Sequence, residues 1–536
     1  MIKEYFWIAV VGVLLNSGLI AADALGFLPM ELPVFLFILF LILWFSWIRP
    51  IRMFWIFIIL IPLERVILSS PQIPFSLRPY QLLGAALALA LISRWIFEKF
   101  SLRQKMRLLK FDLKPLFSWR GKSGFLNLRD FLILLFPFIA IASIANAPNK
   151  ASSIKLTLVL VSFIVIYWLT ANFFLNKKRL QEALWFFVAT SLPILIFGAY
   201  QAFAHKLGWP DFQIFAERSN GTFAEPDWFG VYLVFLASII YWLNLQLFKT
   251  KNSTKIASWE LRRVGKWFAN FYLFFIFLVL LLTVARSAWL GFAGVTAVYF
   301  VLLWWQGKVF KFKKLTSKSL FKESFSLMLI YTFSIVVLLV FNLSQFHLIN
   351  RAESSLSGMQ KITISCEQDG QVPKKISSTE ELSQYNCKHI RLEEISSEKN
   401  DGKLVKEVYR PDPNVEIRKN IYSKTWHSIK EHMIMGQGLG TSSEILGKDS
   451  HGQGLNSSNI FLEVWLSTGL IGLILFIGFF FLPIFLSLRR LFQKKKDNYG
   501  LSLFIVLSGA AFLIPNLFNA GIFLGIFWIW LAAIKE

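Results

Sequence analysis

The chain is expected to be an all-α polytopic membrane protein with about fourteen transmembrane helices, twelve at the fewest, and one large extracytoplasmic loop carrying a surface-lying helix. Three observations predict this. The 536 residues are 55% hydrophobic and only 16% charged, with 56 Phe and 20 Trp, a balance foreign to ordinary soluble domains. Apolar runs recur at about 20 residues, the length that crosses roughly 30 Å of hydrocarbon at about 1.5 Å per residue. The one long polar stretch, 346–457, carries 15 Lys/Arg against 15 Asp/Glu, although the whole chain carries +24.

Taken in order, the apolar runs place helices near 5–24, 32–48, 51–68, 80–98, 130–147, 154–175 and 182–203. They continue at 228–247, 267–284, 286–306, 325–345, 459–488, 500–514 and 517–534. The second and third nearly abut at Arg49-Pro50, and the last two are split by Pro515-Asn516. The first run, from Lys3 to Ala21-Ala22-Asp23-Ala24, has the look of a signal peptide. The helices after it need a cytoplasmic start, so it reads as the first membrane helix.

The excess positive charge lies in short loops after even-numbered helices. Examples are 99–129 with nine Lys/Arg and one Asp, 249–266 with six, and 308–322 with six. Positive-inside topology then puts both termini in the cytoplasm and 69–79, 204–227, 284–287 and 346–457 outside. These loops read as orientation signals that touch anionic membrane lipid, with no nucleic-acid partner. Both cysteines, Cys366 and Cys387, fall in the outer loop, where an oxidising compartment allows a bridge.

The expected organisation is an N-terminal helix group 1–179, a second group 180–345 carrying outer arginine motifs, the loop domain 346–458, and C-terminal helices 459–536. Charges are nearly absent from helix centres, which argues against an ion-coupled transporter. Residues 355–410 read as short strands with turns at Gln368-Asp369-Gly370 and Asn400-Asp401-Gly402, expected to form two hairpins. Residues 414–435 read as a helix with Arg418, Tyr422, Trp426, Ile429 and Met433 on one face, lying over the mouth of a membrane cavity. It ends in Gly436-Gln437-Gly438-Leu439-Gly440, expected to be a flexible turn.

Three outer arginines carry the chemistry. Arg218 precedes the eighth helix, in Arg218-Ser219-Asn220-Gly221-Thr222-Phe223-Ala224-Glu225-Pro226. Arg286 lies in the turn Thr283-Val284-Ala285-Arg286-Ser287-Ala288-Trp289, and Arg418 lies on the loop helix. Guanidinium forks suit phosphate oxygens near an apolar phase better than ammonium does. Singly, each reads equally well as snorkelling to lipid headgroups. All six histidines also fall on the expected outer side; His451, in Asp449-Ser450-His451-Gly452, is the candidate base. Glu225 and Asp227 give only a weak cation-binding signal, and the chain has no Walker A motif, dinucleotide fingerprint or zinc-spaced Cys/His cluster.

These segments, together with Ser458-Asn459-Ile460-Phe461-Leu462-Glu463 and Thr468-Gly469-Leu470-Ile471-Gly472, resemble the O-antigen ligase and O-antigen polymerase family of bacterial membrane proteins over roughly 180–490. The resemblance implies a glycosyltransferase of the bacterial cytoplasmic membrane acting on its outer face. Its donor would be an undecaprenyl-pyrophosphate-linked glycan, its acceptor a glycan or lipid, and it would need no metal or other cofactor. Arg218 and Arg286 would hold the pyrophosphate, with Arg418 and Glu225 as further substrate contacts. Many members have His-Asn where this chain has Ser458-Asn459, so His451 stands in as base, and Ser458 and Asn459 orient the acceptor. The competing readings are a lipid-linked oligosaccharide transporter or flippase, and a non-catalytic scaffold.

Overall fold

The computed structural model describes residues 2–534 apart from 74–75, 101–127, 175–176, 216, 250–256, 310–316, 344–352, 355–356, 368–371, 391–393, 449–453 and 494–497. The N-terminal group is α1 (Ile2–Ala24), α2 (Leu32–Ile48), α3 (Pro50–Leu60) and α4 (Pro79–Phe100). It is followed by α5 (Leu128–Ser143), α6 (Lys150–Phe173), α7 (Lys177–Thr190) and α8 (Leu192–Leu207). Next come α9 (Pro226–Lys249), α10 (Ala257–Leu282), α11 (Arg286–Val309) and α12 (Ser317–Phe341). The loop domain holds β1 (Met359–Cys366), β2 (Cys387–His389), α13 (Ile395–Asn400), β3 (Leu404–Pro411), α14 (Pro413–Glu431) and α15 (Ser442–Leu446). The chain closes with α16 (Ile460–Phe492), α17 (Tyr499–Asn516) and α18 (Gly525–Ala533).

Sequence-local rules account for many boundaries. Asn149 caps α6 by accepting from the Ser152 N–H at 3.1 Å, and Pro stands in the first turn of α2, α3 and α8. Gly208, at φ 69°, ends α8. The expected helix at 182–203 is two helices, α7 and α8, meeting at Ser191 just before Pro193.

Ten stretches of helix among the described residues are long and apolar enough to cross a bilayer, against the fourteen expected. Two expected spans are only half-length. The third, 51–68, ends as helix at Leu60, and the last, 517–534, is helical only over Gly525–Ala533. At about 1.5 Å per residue neither crosses about 30 Å of hydrocarbon alone.

The core is α9. Of its span Pro226–Gln246, 94% is buried, against 17% for Leu320–Phe341 of α12 at the periphery. α10, α11 and α17 pack around it. Small residues let the backbones approach: a methyl on Gly230 would meet the Ala288 side chain at 2.5 Å, and one on Gly291 would meet Pro515 at 2.5 Å. The Trp242 indole donates to the Gly500 carbonyl at 2.7 Å, tying α9 to α17.

Irregular backbone gathers at one end of the bundle and is internally satisfied, as non-helical chain at membrane depth must be. The Thr222 hydroxyl donates to the Pro62 carbonyl at 2.6 Å and the Arg65 N–H to the Thr222 carbonyl at 2.7 Å. Glu64 is buried, pairs with Arg78 at 2.5 Å, and accepts from the Gly525 N–H at 3.1 Å at the start of α18.

The loop domain lies at that same end. Instead of two hairpins it forms one antiparallel sheet in the order β2-β1-β3. Cys366 pairs with Cys387 in the β1/β2 register and the two are disulfide-bonded. α14 spans most of the expected 414–435 helix and packs on α15 and the start of α16. Ile429 is buried there, and Trp426 meets Trp465 edge-on at 5.5 Å.

The glycine segment after α14 is not the flexible turn expected. α16 is broken at Gly469 (φ 68°, ψ −174°), and 433–438 fills the break. The Gln437 and Gly438 N–H groups donate to the Leu466 and Ser467 carbonyls, each at 2.9 Å, and Leu470 N–H donates to the Met433 carbonyl at 2.8 Å. A methyl on Gly436 would stand 2.6 Å from the Ser467 carbonyl, and one on Gly469 2.6 Å from the Met435 nitrogen. Glycine is required because backbone meets backbone, at positive φ, with no room for a side chain.

Candidate functional site

Arg218 sits on a loop wound about two buried amides. Gln201 accepts from the Asn220 and Gly221 N–H groups at 3.1 and 2.7 Å, and the Asn220 side chain donates to the Phe223 carbonyl at 2.7 Å. The loop is stitched to the end of α10 by the Ser219 N–H, which donates to the Leu282 carbonyl at 3.0 Å. Arg218 itself donates through Nε to the Thr283 carbonyl and through Nη2 to Asp227 Oδ2, both at 3.2 Å. Its guanidinium lies 5.7 Å from the Phe215 ring centre.

Thr283 is three residues before Arg286, so the two arginines flank a single turn. Arg286 opens α11 and donates to Asp412 Oδ2 at 3.1 Å and the Ser354 hydroxyl at 3.4 Å. Asp412 is buried in the joint between β3 and α14, so this pair pins the loop domain to the helical core. A guanidinium at a helix N-terminus adds its charge to the unpaired N–H groups of the first turn, a setting that attracts anions. Each guanidinium has five donors and neither spends them all on these carboxylates.

A third segment, 517–519 between α17 and α18, joins the remaining expected residues. Arg418 lies over the Phe518 ring at 5.5 Å and has no carboxylate partner among the described residues. Asn519 Nδ2 donates to the hydroxyl of Ser287, the neighbour of Arg286, at 3.0 Å. Asn459 Nδ2 donates to the Leu517 carbonyl at 3.0 Å. Arg286, Arg418 and Asn459 are thus gathered around one connection.

Three non-glycine residues with positive φ adjoin this cluster: Glu217 (56°) before Arg218, Val284 (52°) two residues before Arg286, and Ser458 (48°). A β-branched residue such as Val284 rarely adopts that conformation, which persists only where the surroundings enforce it. Such strain concentrates at sites that hold a ligand in fixed geometry.

The other expected residues fare differently. Asn459 caps α16, accepting from the Phe461 and Leu462 N–H groups at 2.9 and 3.2 Å, so its side chain is spent on structure. The Ser458 hydroxyl makes no hydrogen bond to a described residue, leaving it available. Glu225 is half-buried ahead of α9, its carbonyl accepting from the Phe229 N–H at 3.1 Å. No His/Cys/Asp/Glu group among the described residues is arranged to hold a metal ion. His451 lies outside the described residues.

Sequence reasoning missed Asp412, Phe518, Asn519 and Glu463, and noted Asp227 only as a weak cation ligand where it pairs with Arg218. Glu463 is buried and accepts from the Ser442 hydroxyl and from the Ser457 N–H at 2.9 Å, joining α15 to the entry of α16. Its place in the first turn of an apolar helix was the one available signal. Asp412, Phe518 and Asn519 meet their partners across 100 to 232 residues of chain, and no local pattern marks them.

A family model described as O-antigen ligase matches residues 271–477, from within α10 to within α16. Arg286, Arg418, Ser458 and Asn459 fall inside that range; Arg218, Glu225 and the 517–519 connection fall outside it. No curated protein matches the chain. With its bundle of apolar helices and its loop domain, the chain is a membrane protein whose residues 271–477 are similar to the O-antigen ligase family.

Proposed function

We propose that this protein transfers or polymerises a glycan carried on undecaprenyl pyrophosphate, at the outer face of the bacterial cytoplasmic membrane. The observation that carries the reading is the bond from Arg218 to the Thr283 carbonyl, which holds one guanidinium beside the turn that opens with the other. Together the two arginines supply fixed positive charge where a diphosphate would leave.

The step runs as follows. An acceptor hydroxyl oxygen attacks the anomeric carbon of the donor sugar from the face opposite the pyrophosphate. The carbon–oxygen bond to pyrophosphate breaks with its electron pair on the departing oxygen, and the configuration inverts. The acceptor proton passes to a general base, for which His451 is the candidate, and Ser458 orients the acceptor. Arg218, Arg286 and the first turn of α11 compensate the charge on the leaving diphosphate, so the protein's own groups do what a divalent cation does in many phosphate-handling enzymes. Arg418, stacked on Phe518, closes over the phosphates from the loop domain.

The test uses cells whose only copy is Arg286→Lys or Arg286→Ala. Lysine retains charge for Asp412 but loses the planar fork. Surface glycan is expected to fall strongly in the first and vanish in the second, with unchanged protein in the membrane. Normal glycan in Arg286→Ala would end the enzyme reading. In a deletion strain, loss of all glycan attachment identifies a ligase, and single-repeat products identify a polymerase.

A further inference from the structure

A groove of about 330 Å³ lies between α1 and α3, lined by Trp7, Val11, Leu15, Ile56 and Ile59, with Arg52 at one end. Only 17% of the α1 span is buried, and Trp7, Val11 and Leu14 are at least half exposed, so this wall faces lipid. An apolar groove stays dry against water. In a bilayer the material available to fill it is hydrocarbon.

Its charged end adds a second requirement. Arg52 and Arg49 are both exposed, one turn apart, at the break between α2 and α3, and neither has an acidic partner among the described residues. Trp7, at the same end, has the amphipathic ring that settles at the headgroup level. We propose that this groove binds one acyl chain of an anionic phospholipid, whose headgroup phosphate pairs with Arg52 and Arg49.

The dimensions fit. From Arg52 to Ile59 the helix rises about 10 Å, against roughly 15 Å for one hydrocarbon leaflet, so the groove takes the headgroup-proximal two thirds of a chain. The occupant is distinct from the glycan donor. Beyond Leu60, α3 leads into Arg65, whose N–H bonds the Thr222 carbonyl on the Arg218 loop at 2.7 Å. Arg52 therefore lies at the other end of α3 from that loop, about 12 Å of helix away before the turn is counted. A lipid whose phosphates sit at Arg218 and Arg286 cannot put the same phosphates at Arg52. The lipid adds to the direct contact of α1 with α3, where a methyl on Gly12 would meet the Ile59 side chain at 2.8 Å and the Asn16 side chain donates to the Thr190 carbonyl at 2.9 Å and the Ile59 carbonyl at 3.3 Å.

The experiment measures lipid retained by the full-length protein, purified in neutral detergent, by native mass spectrometry after adding phosphatidylglycerol or phosphatidylcholine. Wild type is expected to keep one phosphatidylglycerol and to prefer it. Arg52→Gln, an exposed change, should cut that retention about fivefold, the worth of one cation at an anionic headgroup. Val11→Phe leaves both arginines in place but fills the groove, and should lower retention of both lipids. Equal retention of the two lipids, or an unchanged Arg52→Gln, would overturn the proposal. So would displacement of phosphatidylglycerol by an added polyprenyl phosphate, which would assign the groove to the donor.

Discussion

Replacing Gly436 by alanine probes whether the loop domain is locked into α16 or merely rests on it. Two costs add. Alanine at φ 70° pays the left-handed penalty, about 1–2 kcal/mol. Its methyl would also lie 2.6 Å from the Ser467 carbonyl, and both partners are backbone held by the Gln437–Leu466 and Gly438–Ser467 bonds. Relief means lengthening those bonds, at about 1 kcal/mol each or more when buried. Gly402→Ala is the control: φ is 73° and nothing lies within 4 Å, so it carries the first cost alone. The difference is about 2 kcal/mol, a roughly thirtyfold larger open population. Brief proteolysis of the detergent-solubilised protein, scored by cleavage within 432–442, reads that population. Equal cleavage of the two variants would refute the interlock.

Other expectations rest on separate parts of the molecule. Asn519→Ala removes the bond to Ser287, worth about 1 kcal/mol, and should slow glycan appearance in pulse labelling without lowering protein level; an unchanged rate would detach 517–519 from the site. Lys388, and after it the Ser365 hydroxyl, holds the Glu398 carboxylate down at about 2 from an ordinary 4.5. A lowered carboxyl stabilises the fold above its unfolded value, so the sheet should loosen as pH falls from about 4.5 toward 2. Protease sensitivity across that range checks this, and Glu398→Gln should be insensitive there. Replacing both Cys366 and Cys387 by serine reopens a loop closed across 21 residues, worth about 3 kcal/mol, and should expose β2 to protease first.

Much of the bundle was legible because lipid imposes a length and a composition on every crossing. Apolar runs located nearly all the helices. What escaped was depth. The run 51–68 was read as a full span, but nearly half of it, 61–68, is irregular chain around Glu64, where Arg78 and Gly525 satisfy it from afar. The glycine segment was misread for the same reason: glycine marks mobile turns and tight backbone crossings alike, and only the partner, Gly469, tells them apart. In the site, position in the expected outer loops drew attention to Arg218 and Arg286, whereas Asp412 meets Arg286, and Asn519 its neighbour Ser287, through long-range packing alone.

The near-total enclosure of α9 has a bearing on how the protein is made. Its wall at α17 begins roughly 250 residues after α9 ends. At about 5–20 residues per second, the ribosome delivers that wall tens of seconds later. Until then Phe235 and Trp242, which meet Phe512 and the Gly500 carbonyl in the finished molecule, wait beside lipid or borrowed neighbours. Chains cut short before Tyr499 should therefore be targets for membrane quality control even though every earlier helix has been inserted.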